Sequence, residues 1–318
     1  MASANNWFPG HMNKALKEIE NLIEAVDVVV EVVDARAPYS SQNPIFRRVL
    51  KNKAVIYVMN KVDVADPEIT KQWDEYFKTQ SDHKYVLEVE KNSQNITNKL
   101  VNLINEATKE RQEKMKRKGL VNPQINALVI GLPNVGKSTF INKIVKGKKV
   151  KAGNKPGLTR GLQRITLTKN ITLIDTPGIM PSKIPNESTA CNLTMINSVK
   201  EGVFSLERMA ARAMRYVYNN YPGRVEERYD ARIGLIPPIE ISDTYRVFEK
   251  IAKKNNWVLL NDMYDVERVM LTFVRDLQNG KLGRMSFETP EMIEDLSIEK
   301  SEKDEEIEDK TVDVTQEW

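Results

Sequence analysis

The segment Gly131-Leu132-Pro133-Asn134-Val135-Gly136-Lys137-Ser138-Thr139 restricts this chain more than any other feature of its 318 residues. It fits the pattern G-x-x-x-x-G-K-S, and it lies between an apolar run, Ala127 to Ile130, and a helical pattern from Lys137 to about Lys146. In that strand–loop–helix setting the glycines let backbone N–H groups wrap a phosphate chain. Lys137 can reach the β- and γ-phosphates, Ser138 can ligate Mg2+, and the N-terminus of the next helix adds its dipole. Asn134, Val135, Gly136 and Thr139 belong to the same cradle.

Between Val26 and Thr176 apolar runs alternate with longer helical patterns, which is the mark of a parallel sheet covered by helices. Strands are expected at Val28 to Val33, Val55 to Met59, Tyr85 to Val89 and Ala127 to Ile130, with helices near Pro44 to Leu50, Pro67 to Lys78 and Asn95 to Lys118. After the loop, strands near Leu162 to Thr168 and Ile171 to Ile174 are joined across Lys169-Asn170, a connection short enough for a hairpin. Beyond Pro181 the β-like runs largely stop. Leu206, Met209, Ala210, Ala213, Met214, Val217 and Tyr218 share one face of a helix, and Val266, Val269, Met270, Phe273, Val274 and Leu277 repeat the pattern before Gly280. The expected units are residues 1–184, an α/β nucleotide domain, residues 185–290, a helical domain, and residues 291–318, an acidic tail.

Two further motifs close predicted strands. In Asp175-Thr176-Pro177-Gly178 the carboxylate can hold the Mg2+ shell and the Gly178 N–H can meet a γ-phosphate. Thr159, in Pro156-Gly157-Leu158-Thr159, is a candidate second Mg2+ ligand. In Asn60-Lys61-Val62-Asp63 the Asp63 carboxylate can accept from guanine N1–H and N2–H2, for which adenine has no matching donor pair, so GTP is expected over ATP. Lys61 can lay its stem on the base. A loop near Val89 to Asn92 is placed to close the base pocket, but its residues offer no recognisable Ser-Ala pair.

The base-reading motif here precedes the phosphate motifs, the reverse of their order in Ras-like chains. Together with Trp7-Phe8-Pro9-Gly10-His11-Met12, Asp34-Ala35-Arg36-Ala37-Pro38 and the stretch Gly280 to Glu288, this order resembles the circularly permuted GTPases, and within them the bacterial ribosome biogenesis GTPase A family. The resemblance implies a circularly permuted Ras-like phosphate-loop GTPase domain with a C-terminal all-α domain. It further implies GTP hydrolysis with Mg2+, stimulated by the ribosomal subunit, a late assembly step on the large ribosomal subunit, contact with its rRNA, and GTP control of association and release. Catalytic roles fall to Lys137, Thr159 and His11. Ile179 occupies the place of the Ras glutamine that orients water, and an aliphatic side chain cannot do that. His11 is the family's candidate for the task, or a solvated histidine at a helix start; His83 reads as solvated. Asn134 resembles the asparagine that holds K+ in potassium-dependent GTPases, or it serves loop geometry alone. Because Ile179, Met180 and Pro181 lead straight into the helices, a γ-phosphate contact at Gly178 is expected to set the orientation of the helical domain.

Charge divides the chain. Residues 291–318 carry a net −9 and residues 1–290 a net +13. A basic body suits a polyanion such as RNA, or a solvated lysine-rich surface. One basic cluster is Lys109, Arg111, Lys114, Lys116, Arg117 and Lys118, interspersed with Glu; the other, nearer the nucleotide motifs, is Lys143, Lys146, Lys148, Lys149 and Lys151. Cys191 is the only cysteine, so no intramolecular disulfide can form and a passive thiol is expected. No apolar run is long enough to cross a bilayer, and no signal-peptide pattern opens the chain, so a cytoplasmic protein without membrane or DNA partners is expected.

Overall fold

Val28–Asp34 forms β1, a strand buried at every position. Its valines suit a central parallel strand covered on both faces, where both side-chain rows are apolar. The computed structural model describes residues 10–49, 53–79, 84–145, 162–181, 183–260 and 263–293, without the side chains of 10–15, 47–49 and 84. The readings at Trp7 to Pro9, His83, Lys146 to Lys151 and Thr159 lie outside the described residues, as does the side chain of His11.

Ala54–Asn60 (β2), Lys84–Val89 (β3), Ile125–Gly131 (β4), Gln163–Thr166 (β5) and Ile171–Asp175 (β6) complete one sheet in the order β3-β2-β1-β4-β6-β5. All neighbours are parallel except β5 and β6, the expected hairpin. The first three strands step outward from β1 on one side, and the last three occupy the other. The β1/β4 boundary is therefore the topological switch point, the place where open α/β sheets bind ligands at their carboxyl ends. Register brings Asp34 opposite Asn60, Asn60 opposite Val89, Val32 opposite Gly131 and Val129 opposite Asp175. The base-reading half thus enters the sheet first and the phosphate half second, as the permuted order requires.

Helices Gly10–Leu22 (α1), Pro44–Val49 (α2), Pro67–Thr79 (α3), Ile96–Ala107 (α4), Lys109–Arg117 (α5) and Lys137–Ile144 (α6) accompany the strands. The single helix expected from Asn95 to Lys118 is broken at Thr108. Its buried hydroxyl donates to the Ile104 carbonyl at 2.7 Å and accepts from Gln112 Nε2 at 2.9 Å, local bonding that competes with a continuous helix. Strand β5 is shorter than expected because Thr168 Oγ1 accepts from the N–H groups of Asn170 (3.4 Å) and Ile171 (3.1 Å), which enlarges the turn.

Glu187–Met195 (α7), Leu206–Asn220 (α8), Arg224–Tyr229 (α9), Ile241–Lys254 (α10) and Val266–Gln278 (α11) follow. Side-chain oxygens of Asn186, Ser205 and Asp265 cap α7, α8 and α11 by accepting from Thr189, Arg208 and Arg268 N–H. The anticipated stripes of α8 and α11 are the buried faces, with Leu206 only half-buried. Phe248 of α10 packs edge-on against Phe273 of α11, at 6.0 Å between ring centroids.

The helices are joined to the sheet by more than the segment after Gly178. Residues 280–288 return across the loop that follows β2: Arg284 donates to the carbonyls of Ala65 (2.9 Å) and Val62 (3.1 Å), and Met285 N–H to Val64 O at 3.1 Å. The hydroxyls of Tyr216 and Tyr221 in turn donate to the Ser286 carbonyl at 3.0 and 3.1 Å. Glu288, 2% exposed, accepts from the N–H groups of Tyr39 and Ser40, from the Ser40 hydroxyl and from Asn192 of α7. Burial pushes its carboxyl above the usual range even against those donors. Residues 280–288 thus join the helices to the sheet in addition to the segment Ile179 to Pro181, through which a γ-phosphate contact is expected to act.

Candidate nucleotide site

The site's base side is a set of side chains that grip the phosphate loop. Asn60, the last residue of β2, donates from Nδ2 to the Val135 carbonyl at 2.8 Å. Lys61 has a left-handed backbone, φ 65°, and its Nζ reaches Asp34 Oδ2 at 2.7 Å and the Asn134 carbonyl at 2.8 Å. The loop in turn needs glycine here: a Cβ on Gly136, whose φ is +93°, would stand 2.1 Å from Asn60 Nδ2. Asp63 is exposed, in the short helix Val62–Val64, rather than the buried acceptor that base discrimination favours. It sits at the sheet's rim, and its Oδ1 accepts from Lys91 N–H at 3.1 Å.

That bond fixes the loop left unassigned by sequence. Lys143, from α6, donates to the carbonyls of Glu90 (2.6 Å) and Lys91 (2.9 Å), and Glu90 N–H donates to Ser93 Oγ at 2.8 Å. A cavity of about 500 Å3 opens beside it, lined by residues that include Lys91, Ser93, Asn95 and Lys143. Lys143 is therefore engaged in shaping this rim, a role its place in a basic cluster did not suggest.

On the phosphate side, Lys137 opens α6 and is only 6% exposed, with its ammonium bonded to the fully buried Asp175. Burial depresses the lysine and raises the carboxyl, each against the pull of its partner. Asp175 Oδ2 is buried with no hydrogen-bond partner among the described residues, a carboxylate oxygen able to serve a cation's hydration shell. Ser138 is half-buried and Thr139 exposed on the same first turn. Gly178 lies against the loop: a Cβ there would come within 2.9 Å of Pro133 N, so this glycine permits contact with the loop as well as with any phosphate. Ile179 is fully buried, and its carbonyl accepts from Asn43 Nδ2 at 2.8 Å. Asn134, with φ 61°, donates from Nδ2 to the Asn197 carbonyl at 2.7 Å, which ties the loop to the end of α7 and leaves Oδ1 as the end that can face a cation.

Sequence reasoning missed Asp34 and Arg36. Asp34 is fully buried, and its Oδ1 accepts from Arg36 N–H (3.1 Å) and Nε (2.9 Å), while Oδ2 accepts from Arg36 Nη2 (2.9 Å) and Lys61. Burial alone would raise this carboxyl, but the two cations hold it well below the usual carboxylate range. The signal was present in the DAR-x-P motif, whose partners lie far away in the chain.

The basic helix α5 buries no residue, and Arg111 pairs with Asp27, just before β1, at the amino ends of the strands. Its cations are therefore remote from the nucleotide edge. Cys191 is buried, and its thiol is pushed up to about 12 by that burial, which keeps it protonated and unreactive. Among the described residues no helix is long and apolar enough to cross a membrane.

The family model described as "50S ribosome-binding GTPase" matches residues 126–214. Ribosome biogenesis GTPase A of Bacillus pumilus is 35% identical over 285 residues, covering 90% of this chain and 98% of the relative. The protein of the same name from Bacillus cereus is 36% identical over 301 residues, covering 95% and 99%. The crystal structure of GNP-bound YlqF from T. maritima superposes with a TM-score of 0.58 at 31% identity, covering 87% of this chain and 99% of that one. With near-complete coverage at this identity, and with the permuted sheet and its motifs at one edge, the chain belongs to the ribosome biogenesis GTPase A family.

Proposed function

We propose that this GTPase binds the precursor of the large ribosomal subunit and promotes a late step of its assembly, with the GTP state governing association and release. The observation that carries the reading is the convergence of Asn60, Lys61, the phosphate loop and Asp175 at the β1/β4 switch point, in a chain whose relatives are named for ribosome biogenesis. The roles follow from chemistry. Asp63 reads the guanine edge and Lys61 supports the base; the N–H groups of Asn134 to Thr139 cradle the phosphates, and Lys137 neutralises charge that grows on the β–γ bridge during hydrolysis. Mg2+, which GTPases of this type use, would be held by Ser138, by Asp175 through its orphaned Oδ2 and by Thr159, and would draw charge from the phosphate oxygens.

With Ile179 buried, water must be oriented by another group, and His11 is the candidate, acting once the subunit is bound. Asn134 Oδ1 would contribute to a K+ site beside the phosphates. Residues 1–184 form the nucleotide unit in this reading, residues 185–290 the ribosome-facing helices, and residues 291–318 an acidic appendage.

Steady-state phosphate release, measured alone and with large or small ribosomal subunits, tests the proposal. Slow intrinsic turnover should rise with the large subunit only. GTP-dependent subunit binding without any rise in turnover would instead favour a non-catalytic GTP-dependent RNA-binding module, the reading that buried Ile179 supports. In the same assay His11→Ala should lose most of the stimulated turnover at unchanged GTP affinity, and exchange of K+ for Na+ should slow wild type but not Asn134→Ala.

A further inference from the structure

Asp34 is the point where the base side of the site meets the helices. Its carboxylate has no solvent exposure and serves two cations at once, Arg36 through both oxygens and Lys61 through Oδ2. Among the described residues Lys61 has one further bond, to the Asn134 carbonyl, and its side chain is 30% exposed, so the buried carboxylate is what holds the long stem in one rotamer. Flexible ammonium groups lose rotamer freedom when fixed, and a buried anion offsets that loss better than a carbonyl does.

The other end of the network lies in the helices. Arg36 is 1% exposed, and its Nη1 donates to the carbonyls of Leu277 (3.0 Å) and Gln278 (3.2 Å) in the last turn of α11. A cation at a helix C-terminus meets the negative end of its dipole. The Arg36 carbonyl also accepts from Phe287 N–H at 2.7 Å, and its guanidinium lies 5.9 Å from the Phe287 ring centroid.

The geometry points to Asp34 as the positioning residue for Lys61, with Arg36 making that positioning depend on the docking of α11. A partner that drew α11 away from Arg36 would loosen the lysine and speed nucleotide release without touching the phosphate loop. Linkage makes this reciprocal: a tightly held base would favour the docked helix. The inference rests on the reading of Lys61 as a base contact, and the test separates the two.

The full chain is used with a fluorescent mant-GDP probe. Asp34→Asn alone would strand a buried guanidinium, so it is paired with Arg36→Met, which removes that charge and preserves bulk. Lys61→Met should weaken binding about tenfold, as loss of a charge-assisted contact implies, and Asp34→Asn with Arg36→Met should do the same. All three substitutions together should bind no worse than Lys61→Met alone, even though their effects on the urea midpoint add. A merely structural role would leave the affinity losses multiplicative, near a hundredfold, and that result would overturn the inference. Lys61→Met binding like wild type would remove the base-contact reading and the inference with it. Arg36→Lys keeps the charge but cannot hold the Asp34 carboxylate and the helix carbonyls at once, as the guanidinium does with Nε and Nη2 on one side and Nη1 on the other. It should release mant-GDP several-fold faster, and this acceleration should vanish in the Lys61→Met background. Unchanged release would refute the link to α11.

Discussion

The two sides of the nucleotide edge are built on opposite plans. On the base side Asn60, Lys61, Lys143 and the Asp63 carboxylate each have a partner that holds a loop in place. On the phosphate side Lys137 and Asp175 are bonded to each other, although their expected roles face a phosphate and a cation's shell. In the proposed reading one side is preorganised, and the other would exchange partners when nucleotide enters. Preorganisation favours affinity, because groups already fixed lose little entropy on binding. The self-paired side makes the closed geometry conditional on the ligand's charges. In that reading, prising Lys137 from Asp175 would leave two buried charges for a phosphate and a cation together to satisfy, so tight binding would require the Mg2+ form.

Removing the lysine should break this contrast most severely. Lys137→Ala leaves the buried Asp175 carboxylate without a cation, a situation that costs about 3–5 kcal/mol. The nucleotide-free variant should unfold at a clearly lower urea concentration than wild type, and its phosphate release should fall to background. An unchanged urea midpoint would mean that the pair does not exist in the empty protein, and the two sides would then be alike.

A smaller but still large effect is expected where the two sides meet. Gly136→Ala places a methyl 2.1 Å from Asn60 Nδ2 at a φ of +93°, so the residue is strained and Asn60 must turn away from Val135. Backbone strain and the lost hydrogen bond together should cost about 2–4 kcal/mol. Gly178→Ala meets the Pro133 backbone at 2.9 Å and should cost less, since φ there is not left-handed. Urea unfolding of both variants ranks them; a milder Gly136→Ala would show that Asn60 does not hold the loop.

What could be read in the sequence follows the same division. The phosphate motifs are contiguous and sit at strand ends, so Lys137, Ser138, Asp175 and Gly178 could be picked out from local pattern alone, as could the permuted order of strands and the apolar faces of α8 and α11. The fastening of the base side could not. Arg36 meets Leu277 across 241 residues and Tyr39 meets Glu288 across 249, separations at which no periodicity or spacing rule operates. In the sequence Lys143 stands in the basic cluster near the nucleotide motifs, the better candidate for RNA, and its rim role is hidden because its partners are backbone carbonyls, which any residue carries. Helix α7 was missed because Glu187-Ser188-Thr189 and Asn192 interrupt its apolar face, yet Asn192 is the residue that bonds the buried Glu288. Local signals locate chemistry; the joint that aligns it is written in distant pairs.

The mildest test addresses the base side alone. Asp63 is exposed and its partner among the described residues is Lys91 N–H, so Asp63→Asn keeps an acceptor for that N–H and leaves Asn60 and Lys61 undisturbed. The substitution exchanges a carboxylate, which accepts two guanine donors, for an amide that offers a donor to the extra carbonyl of xanthine. GTP binding should weaken by about 1–3 kcal/mol while xanthosine triphosphate gains by a similar amount. Because the rest of the base side is fastened independently, the unfolding free energy from urea titration without nucleotide should stay within about 0.5 kcal/mol of wild type, as for other surface changes. Competition of both nucleotides against mant-GDP reads the switch. If Asp63→Asn retains the full preference for GTP, the base is read elsewhere. If the preference switches but the empty protein also loses stability, the loop at Glu90 and Lys91 depends on the Asp63 charge, and the base side is less independently built than its hydrogen bonds imply.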